Sequence, residues 1–443
     1  MVPLAVKVKI GSLLNQIPYS LVPGIGGVYN HCLRARKEYE TADRKEWIFH
    51  RVYRVVEHAV NNIPFYKELY ARKGFSLDQL RSFSDIEKIP IISKKDLMEV
   101  PLEDRSTNGR LRYVANTGGS TGIPLSFYKT RRLQVKEMAY YHQAWAKLGY
   151  DPSKLRLQFG GNAVSDVVSY DLTRNRLVAS IYAPKESVLE QISALTKQNH
   201  IPFLQGYPSV LYEFSLYLEK HPELLTSSGL RNHLKGILLN SEYPFPEYRE
   251  RIEDILGVPT IASYGHTEGC IVAFDYGSQS YEVEQSYGYA EAVEQDGELH
   301  LIGTTYDNLV SPFIRYDTGD TVDSIYIEDG IMKSFMMTDG GRSGQFILDK
   351  EQNRVSLTGL IFGRHHQLFN YCSQMQISQS EPGKAVVYYV AEEGALQDRA
   401  VEDLFDTSGV NIVFAFKRVD RPYRTAAGKA LLLIPPHTIE DGE

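Results

Sequence analysis

The sequence contains very little cysteine: its 443 residues include only Cys32, Cys270 and Cys372. The three lie far apart and none belongs to a Cys-x-x-Cys pair, so the sequence excludes a disulfide framework and a zinc site of that type. A chain of this length can bury enough surface to be stable without such cross-links. We therefore expect a reducing compartment and a cytoplasmic location.

Long apolar runs and an excess of positive charge are also lacking. No run reaches the length of about 18 apolar residues that a membrane-spanning helix needs. The 48 Lys and Arg residues face 55 Asp and Glu residues, which gives a net charge of −7. This balance excludes a protein whose main task is to neutralise nucleic-acid phosphates, so no nucleic-acid partner is expected. The apolar fraction of 43% is that of an ordinary globular protein.

The first part of the sequence is apolar without resembling a signal peptide. Residues 2–29 are largely apolar and residues 31–37 are basic, but Lys7 and Lys9 interrupt the stretch that a signal peptide would need. We expect this segment to form an arm packed on the protein body. The alternative is peripheral contact of the segment with a membrane surface.

The middle of the chain alternates β-like and helical patterns. Apolar spacing predicts two helices early in the chain, over residues 46–60 and 131–148. Further along, the pattern predicts strands over 155–160, 203–206 and 236–240, and helices over 208–220 and 246–256. Such alternation predicts an α/β fold in which ligand-binding loops lie at the ends of the strands.

The end of the sequence has a plan of its own. Three glycines within residues 339–345 indicate a boundary. Beyond it, the pattern predicts strands over 385–390 and 411–416 and a helix over 395–405, enough for a small α+β domain. We therefore predict a large α/β domain over residues 1–343 and a small α+β domain over residues 344–443.

The densest local motif is Asn-Thr-Gly-Gly-Ser-Thr-Gly-Ile-Pro, residues 116–124. Its three glycines permit close backbone approach, and Thr117, Ser120 and Thr121 add hydroxyl groups, which together suit a polyphosphate. It is not a Walker A loop, because the chain has no Gly-x₄-Gly-Lys-Ser/Thr. The alternative is a plain hairpin turn between two short strands.

Three further motifs carry candidate chemistry. In residues 263–269, Ser-Tyr-Gly-His-Thr-Glu-Gly, the carboxylate of Glu268 could hold Mg²⁺ through oxygen. In residues 314–320, Ile-Arg-Tyr-Asp-Thr-Gly-Asp, Asp320 could accept both hydroxyls of a ribose. In residues 424–430, Lys429 follows a glycine and could reach a carboxylate. Each has a structural alternative: a turn with a solvated glutamate, a turn with salt bridges, and a surface lysine.

Together and in this order, the four motifs make the sequence resemble the adenylate-forming superfamily. Within it, the sequence is most similar to phenylacetate–CoA ligase-like enzymes and their CapK-type relatives of capsular-polysaccharide loci. Residues 58–66 and 205–209 are also typical of that branch. The resemblance covers nearly the whole chain. It implies a ligase that uses ATP and Mg²⁺ to activate a carboxylate, with a mobile small domain acting as a lid.

The resemblance also implies a role for individual residues. Residues 117–122 would surround the β- and γ-phosphates of ATP, Thr267 would contact the α-phosphate, and Glu268 would hold Mg²⁺. Lys429 would bridge the substrate carboxylate and the α-phosphate. The implied nucleotide-binding residues are Thr117, Gly118, Gly119, Ser120, Thr121, Gly122, Ser241, Glu242, Tyr243, Tyr264, Asp320 and Arg342. Of these, residues 241–243 and Tyr264 would contact adenine, and Asp320 and Arg342 the ribose.

The sequence departs from the family pattern at several positions. Ile123 stands where lysine is usual, Gly118 where a hydroxyl residue is usual, and Gly344 and Gln345 where the hinge is usually acidic. Because the candidate residues Glu268, Asp320 and Lys429 are all present, we predict an active enzyme. Its acceptor is either CoA, giving a thioester, or an amine, giving an amide in surface-polysaccharide synthesis. The alternative is a nucleotide-binding regulator or scaffold that has lost its chemistry.

Overall fold

The computed structural model describes most of the chain. The described residues are 3–109, 111–117, 125–160, 166–180, 183–196, 200–241, 243–244, 246–295, 297–337, 346–357, 360–361, 364, 366–372, 374–391, 393–396, 399–420, 423 and 433–434. The predicted domain boundary between residues 343 and 344 lies outside them, and so does Gly344.

The α-helices are concentrated in the first 260 residues. They are α1 (Leu4–Leu14), α2 (Gly26–Thr41), α3 (Arg44–Asn62), α4 (Pro64–Lys73), α5 (Lys94–Met98), α6 (Arg131–Trp145), α7 (Lys185–Thr196), α8 (Pro208–Lys220), α9 (Pro222–Ser227), α10 (Leu230–His233), α11 (Pro246–Leu256) and α12 (Val401–Leu404). The predicted helix over 46–60 is confirmed as α3. Asp43 caps it by accepting a hydrogen bond from the Glu46 amide at 3.0 Å, and the helix stops before Pro64.

The strands form one large sheet and three smaller groups. They are β1 (Arg112–Asn116), β2 (Ser126–Thr130), β3 (Arg156–Gly160), β4 (Val168–Asp171), β5 (Arg176–Ser180), β6 (Phe203–Gly206), β7 (Gly236–Asn240), β8 (Thr260–Gly265), β9 (Val272–Asp275), β10 (Tyr281–Val283), β11 (Gly288–Gln295), β12 (Glu298–Thr305), β13 (Tyr316–Glu328), β14 (Ile331–Met337), β15 (Phe346–Leu348), β16 (Arg354–Ser356), β17 (Gln374–Glu381), β18 (Lys384–Val390) and β19 (Val413–Val419). The strands and helices predicted between residues 155 and 256 are confirmed.

The large sheet has two halves with different strand directions. Its order is β11-β12-β13-β14-β10-β9-β8-β7-β6-β3-β5-β4. Strands β5, β3, β6, β7 and β8 are parallel and form what we call the parallel half. Strands β9 to β14 pair antiparallel and form the antiparallel half, which begins where β9 joins β8. The change of direction falls directly after the motif at residues 263–269.

The parallel half is covered on both faces. In β7, Ile237 and Leu239 pack into one apolar cluster and Leu238, between them, into a second cluster that includes α2 and α6 residues. All three side chains are almost fully buried. Strands buried on both faces need continuous apolar runs, which is why Gly-Ile-Leu-Leu-Asn is recognisable in the sequence. Polar groups are therefore placed at the strand ends.

The segment before α2 packs partly against the edge of the large sheet at β4. Helix α1 buries Val8 and Gly11 against β4 and the 3₁₀ turn Leu172–Arg174, and Asn15 donates a hydrogen bond to the Leu172 carbonyl at 2.9 Å. The predicted arm is therefore present. No helix in the part of the chain that the structure describes is long and apolar enough to cross a bilayer.

The last hundred residues build a separate core. Strand β18 pairs antiparallel with β17 and parallel with β19, and the apolar cluster beneath this sheet draws only on residues 347–433. The helix predicted over 395–405 is wrong in extent, because of the residues described in this range only Val401–Leu404 are helical. Phe405 is extended and stacks on His366 at 3.9 Å, so packing against the small sheet overrides helix propensity there.

Candidate active site

The candidate site lies at the carboxyl ends of the parallel strands, next to the first antiparallel strand. Strand β8 ends at Gly265, and the turn that follows carries Thr267 and Glu268. Gly269 closes the turn with φ +70°, and a side chain there would meet the Tyr287 hydroxyl at 3.1 Å. The geometry of this turn therefore requires glycine.

Glu268 is buried and held from two sides. Its Oε1 accepts a hydrogen bond from the Tyr316 hydroxyl at 3.1 Å, and its Oε2 lies 3.2 Å from His266 Nδ1. Burial alone would raise the pKa of Glu268, but the hydrogen bonds and the positive charge of His266 outweigh it, so that pKa is lowered. Glu268 is therefore a carboxylate at neutral pH, although its side chain is only 10% exposed.

The described residues that flank positions 118–124 are held to each other and to this turn. The Thr117 amide donates to the Leu125 carbonyl at 2.9 Å, and the Leu125 amide donates to Thr117 Oγ1 at 2.9 Å. From the following strand, β2, Lys129 donates to the Thr267 carbonyl at 2.9 Å. Two motifs separated by more than 130 residues are thus physically joined. The predicted hairpin strands β1 and β2 are confirmed on either side of the loop.

The third motif also meets the second through a hydrogen bond other than that of Tyr316 to Glu268. The Tyr264 hydroxyl donates to Asp320 Oδ2 at 2.8 Å. The Tyr264 ring is fixed by an edge-to-face contact with Phe335, with ring centroids 5.2 Å apart. Asp320 is on β13 of the antiparallel half, whereas Tyr264 is on β8 of the parallel half. The pair therefore lies where the two halves of the sheet meet.

The end of β7 brings Ser241 next to this constellation. Asn240 pairs in register with Ser263, and Ser241 adopts φ +68°, a conformation that non-glycine residues rarely take. Its hydroxyl accepts a hydrogen bond from Asn240 Nδ2 at 2.9 Å. Tyr243 is half-buried against the main apolar cluster. The backbone strain at Ser241 is the kind found at binding sites.

Among the described candidates, Tyr264 contacts Asp320, Glu268 follows Thr267 in the turn after β8, and Thr267 is bound by Lys129 of the strand that follows Thr117. Ser241 and Tyr243 follow β7, whose last residue pairs with Ser263. The remaining candidates lie outside the described residues: Gly118, Gly119, Ser120, Thr121, Gly122, Glu242, Arg342 and Lys429. Their placement in the site stays a prediction.

Sequence reasoning missed two residues that organise the site. Lys129 is 8% exposed and Tyr316 is 1% exposed, yet both aim polar atoms at residues 267–268. Tyr316 lies within the motif at 314–320, four residues before Asp320, so the motif itself could have identified it as a site residue. Lys129 had none, because nothing in a β-strand sequence shows which distant turn its side chain reaches.

The donor set suits Mg²⁺ only together with phosphates. Among the described residues there is no group of three His, Cys, Asp or Glu side chains that could hold a metal ion. Glu268 supplies a single buried carboxylate, and Mg²⁺ is commonly bound by one or two carboxylates plus substrate phosphates. His266 Nε2 and Asn240 Oδ1 are also buried without a hydrogen-bond partner in the described structure. Unpaired polar atoms at a strand end are what a bound polar ligand would satisfy.

Two curated proteins are similar to this chain over different lengths. Protein CapK of Staphylococcus aureus is 22% identical over 421 residues, which cover 90% of this chain and 90% of CapK. The phenylacetate–coenzyme A ligase of Aromatoleum evansii is 24% identical over 294 residues, which cover 60% of this chain and 63% of that ligase. The match therefore spans less than two thirds of the ligase. No protein-family model matches the chain.

Solved structures share the fold over almost the whole chain. A 2-hydroxyisobutyryl-CoA ligase in complex with 2-HIB-AMP and CoA, in the thioesterification state, aligns with a TM-score of 0.54 at 16% sequence identity, covering 91% of this chain and 92% of that one. The same ligase in the postadenylation state aligns with a TM-score of 0.53, also at 16% identity, covering 91% of each chain. The chain therefore has the α/β fold of adenylate-forming enzymes, with a small C-terminal domain, and the predicted resemblance is confirmed.

Proposed function

We propose that this protein is an AMP-forming ligase that activates a carboxylate with ATP and passes the acyl group to an acceptor. One observation carries the proposal: the buried carboxylate of Glu268, held by Tyr316 and His266, lies in the turn after the strand whose Tyr264 holds Asp320. A fixed carboxylate for Mg²⁺ and a second carboxylate for a ribose are the two anionic groups that binding of Mg-ATP needs. The ligase relatives support the same reaction class.

The first half-reaction joins two anions, which sets the demands on the site. A carboxylate oxygen attacks the α-phosphorus of ATP, the bond to the bridging oxygen of the β-phosphate breaks, and pyrophosphate leaves. Mg²⁺, when bound, would offset the charge that builds up on the phosphates. Glu268 would hold that ion, Thr267 would contact the α-phosphate, and Lys429 would reach the attacking carboxylate from the small domain.

Binding of the nucleotide is assigned to the remaining candidates. The loop 117–122 would enclose the β- and γ-phosphates, residues 241–243 and Tyr264 would line the adenine pocket, and Asp320 with Arg342 would hold the ribose. Because Lys129 of β2 binds the Thr267 carbonyl, this strand would help to position Thr267 for the α-phosphate. The division into domains at residues 343/344 would let the lid turn between the two half-reactions.

The second half-reaction transfers the acyl group from AMP. The sulfur of CoA or the nitrogen of an amine attacks the acyl carbon, AMP leaves, and the proton of the thiol or amine passes to solvent. CoA as acceptor is favoured by the phenylacetate– and 2-hydroxyisobutyryl-CoA ligases. An amine acceptor in capsular-polysaccharide synthesis is the second candidate, because the similarity to CapK spans more of the chain than that to the phenylacetate ligase.

Carboxylate-dependent exchange between ATP and pyrophosphate tests the proposal. The purified chain would be assayed with a panel of aryl, fatty, amino and uronic acids. We expect exchange with one class of acid and little with the others. Single-turnover consumption of the acyl-AMP by CoA or by an amine would then decide the acceptor. Nucleotide binding without exchange for any acid in the panel would favour the alternative of a regulator that has lost its chemistry.

Lys429→Ala separates an enzyme from such a regulator. Removing one charge-stabilising donor typically costs roughly 10²–10³ in rate. We expect pyrophosphate exchange to fall by about that factor while ATP affinity changes little, because the lysine would act on the reacting carboxylate rather than on the bound nucleotide. Lys384→Ala, an exposed lysine of the small domain paired with Glu381, is the matched control and should leave exchange unchanged. An unimpaired Lys429 variant would remove this residue from the site.

A further inference from the structure

Helix α1 and the residues after it expose an unusual amount of apolar surface. Of the 14 large apolar side chains that are most exposed among the described residues, six lie between residues 6 and 21. They are Val6, Ile10, Leu13, Leu14, Ile17 and Leu21, with exposures of 44% to 70%. We call this surface the α1 face. The outer side of this helix is apolar as well as its buried side. It therefore exposes apolar surface that another molecule could cover.

The charged residues of the first 37 positions are all basic. Residues 1–37 contain five Lys and Arg residues and no Asp or Glu, although the whole chain has a net charge of −7. Lys7 and Lys9 are exposed on α1 itself, between the apolar side chains. Two exposed lysines thus lie among the exposed apolar side chains of α1.

A basic cavity opens beside the same helix. It has a volume of about 580 Å³, and Ser12 of α1 forms part of its wall. The other lining residues include Lys154, Lys235, His200 and His233, with no Asp or Glu among them. The centroids of the two histidine rings lie 3.8 Å apart, with the ring planes tilted by 34°. Among the described residues, neither Lys154 nor Lys235 forms an ion pair with a carboxylate, and Asp151, close to Lys154 in sequence, accepts hydrogen bonds from Ser153.

From these three observations we propose that this side of the protein binds the surface of an anionic membrane. The side chains of the α1 face enter the region between headgroups and acyl chains, and the basic cavity, which we call the headgroup pocket, takes the phosphate of a lipid. Apolar side chains next to lysines on a helix too short to cross a bilayer are what binding in the membrane interface needs.

Charge argues for a membrane over a second copy of this chain. A symmetric dimer would bring each residue of the face against the same patch on its partner. Lys7, Lys9 and the headgroup pocket would then face their own equivalents, and like charges would repel. An anionic lipid surface instead attracts every one of these groups. The inference does not depend on the proposed reaction, because none of these residues belongs to the candidate site.

Flotation of the full chain with lipid vesicles tests the proposal. Vesicles of phosphatidylcholine alone would be compared with vesicles that also contain phosphatidylglycerol. We expect the parent to float only with the anionic vesicles. Leu13→Ser with Leu14→Ser, and separately Lys154→Glu with Lys235→Glu, should each weaken that binding by about tenfold or more. Excess glycerol 3-phosphate should not release the protein, because a free phosphate lacks the apolar contact.

Matched controls keep the result specific. Leu111→Ser with Ile327→Ser removes exposed apolar side chains far from α1 in sequence. Lys73→Glu with Lys220→Glu makes the same change of charge on α4 and α8. Both should bind vesicles like the parent, and all variants should keep the parent's unfolding temperature. The proposal is overturned if the parent fails to float with anionic vesicles. It is equally overturned if glycerol 3-phosphate releases it, or if the only effect of the α1 variants is to turn a dimer into a monomer.

Discussion

The two halves of the large sheet contribute to the candidate site in different ways. The parallel half consists of strands of four to six residues, buried on both faces, and presents its polar groups just beyond the strand ends. The antiparallel half includes β13, which runs for 13 residues and carries Tyr316 and Asp320 within the strand itself. The parallel half therefore supplies the turn that carries Glu268, and the antiparallel half supplies the Tyr316 side chain that holds it.

This difference explains how a rigid site is built from a simple sheet. The backbone of the turn at 266–269 is closed by one hydrogen bond, from the Gly269 amide to the His266 carbonyl at 3.0 Å, and the Glu268 side chain is positioned by Tyr316 and His266. Tyr316 is fixed because it is buried in a strand paired on one side with β12. Each half therefore carries one candidate binding group and one side chain that holds the group of the other half: Tyr316 holds Glu268, and Tyr264 holds Asp320.

Arg249→Ala should have the largest effect, because this side chain connects the two halves. Arg249 of α11 is buried and donates to the Thr260 hydroxyl on β8 at 2.6 Å and to the carboxylate of Asp275 on β9. Loss of the arginine leaves Asp275, 1% exposed, as an unpaired buried charge, which costs about 3–5 kcal/mol. We therefore expect the protein to unfold at a clearly lower denaturant concentration than the parent.

Arg251→Ala on the same helix is the control. Arg251 forms an exposed pair with Glu219, and exposed pairs contribute at most about 1 kcal/mol. Arg249→Met combined with Asp275→Asn should recover part of the stability, since no buried charge then remains unpaired. If Arg249→Ala unfolds at the same denaturant concentration as Arg251→Ala, the two halves are not held together by this residue.

Glu268→Gln should have the next largest effect and should act on chemistry alone. Glutamine keeps the shape and an acceptor for the Tyr316 hydroxyl but removes the charge that would hold Mg²⁺. We expect pyrophosphate exchange to fall roughly 10²–10³-fold and to need more Mg²⁺. Glu298→Gln, an exposed residue of β12, is the control. A variant with the parent's rate at every Mg²⁺ concentration would contradict the assignment of Glu268.

Tyr264→Phe should have the smallest effect, because it removes only a support. The ring and its contact with Phe335 remain, while Asp320 loses a hydrogen bond of 2.8 Å. A hydrogen bond to a charged group is worth about 1.5–3 kcal/mol, so we expect ATP to bind roughly tenfold more weakly or worse, with the choice of carboxylate unchanged. Tyr326→Phe, on an exposed part of β13, should bind ATP like the parent. An equal affinity in both variants would show that Tyr264 does not position Asp320.

Sequence patterns predicted the elements and motifs, but not the residues that hold the motifs in place. The buried strands and the helices between them were predictable because an apolar run bounded by glycine or proline leaves few alternatives. The helix expected over 395–405 was not, since Phe405 gains more from stacking on His366 than from continuing a helix turn. Lys129 and Tyr316 were missed as site residues because their importance depends on which turn they reach.

The sequence by itself determined the α/β class, the order of the motifs and the two carboxylates, because these follow from local patterns of apolar spacing, glycine and charge. Only the tertiary structure decided that Tyr316 and His266 hold Glu268, that Tyr264 holds Asp320, and that Lys129 reaches Thr267. It also decided that the basic residues Lys154 and Lys235 lie beside the apolar α1 face. Such contacts join residues as far as 138 positions apart, as between Lys129 and Thr267, and local sequence patterns carry no information on pairings of that range.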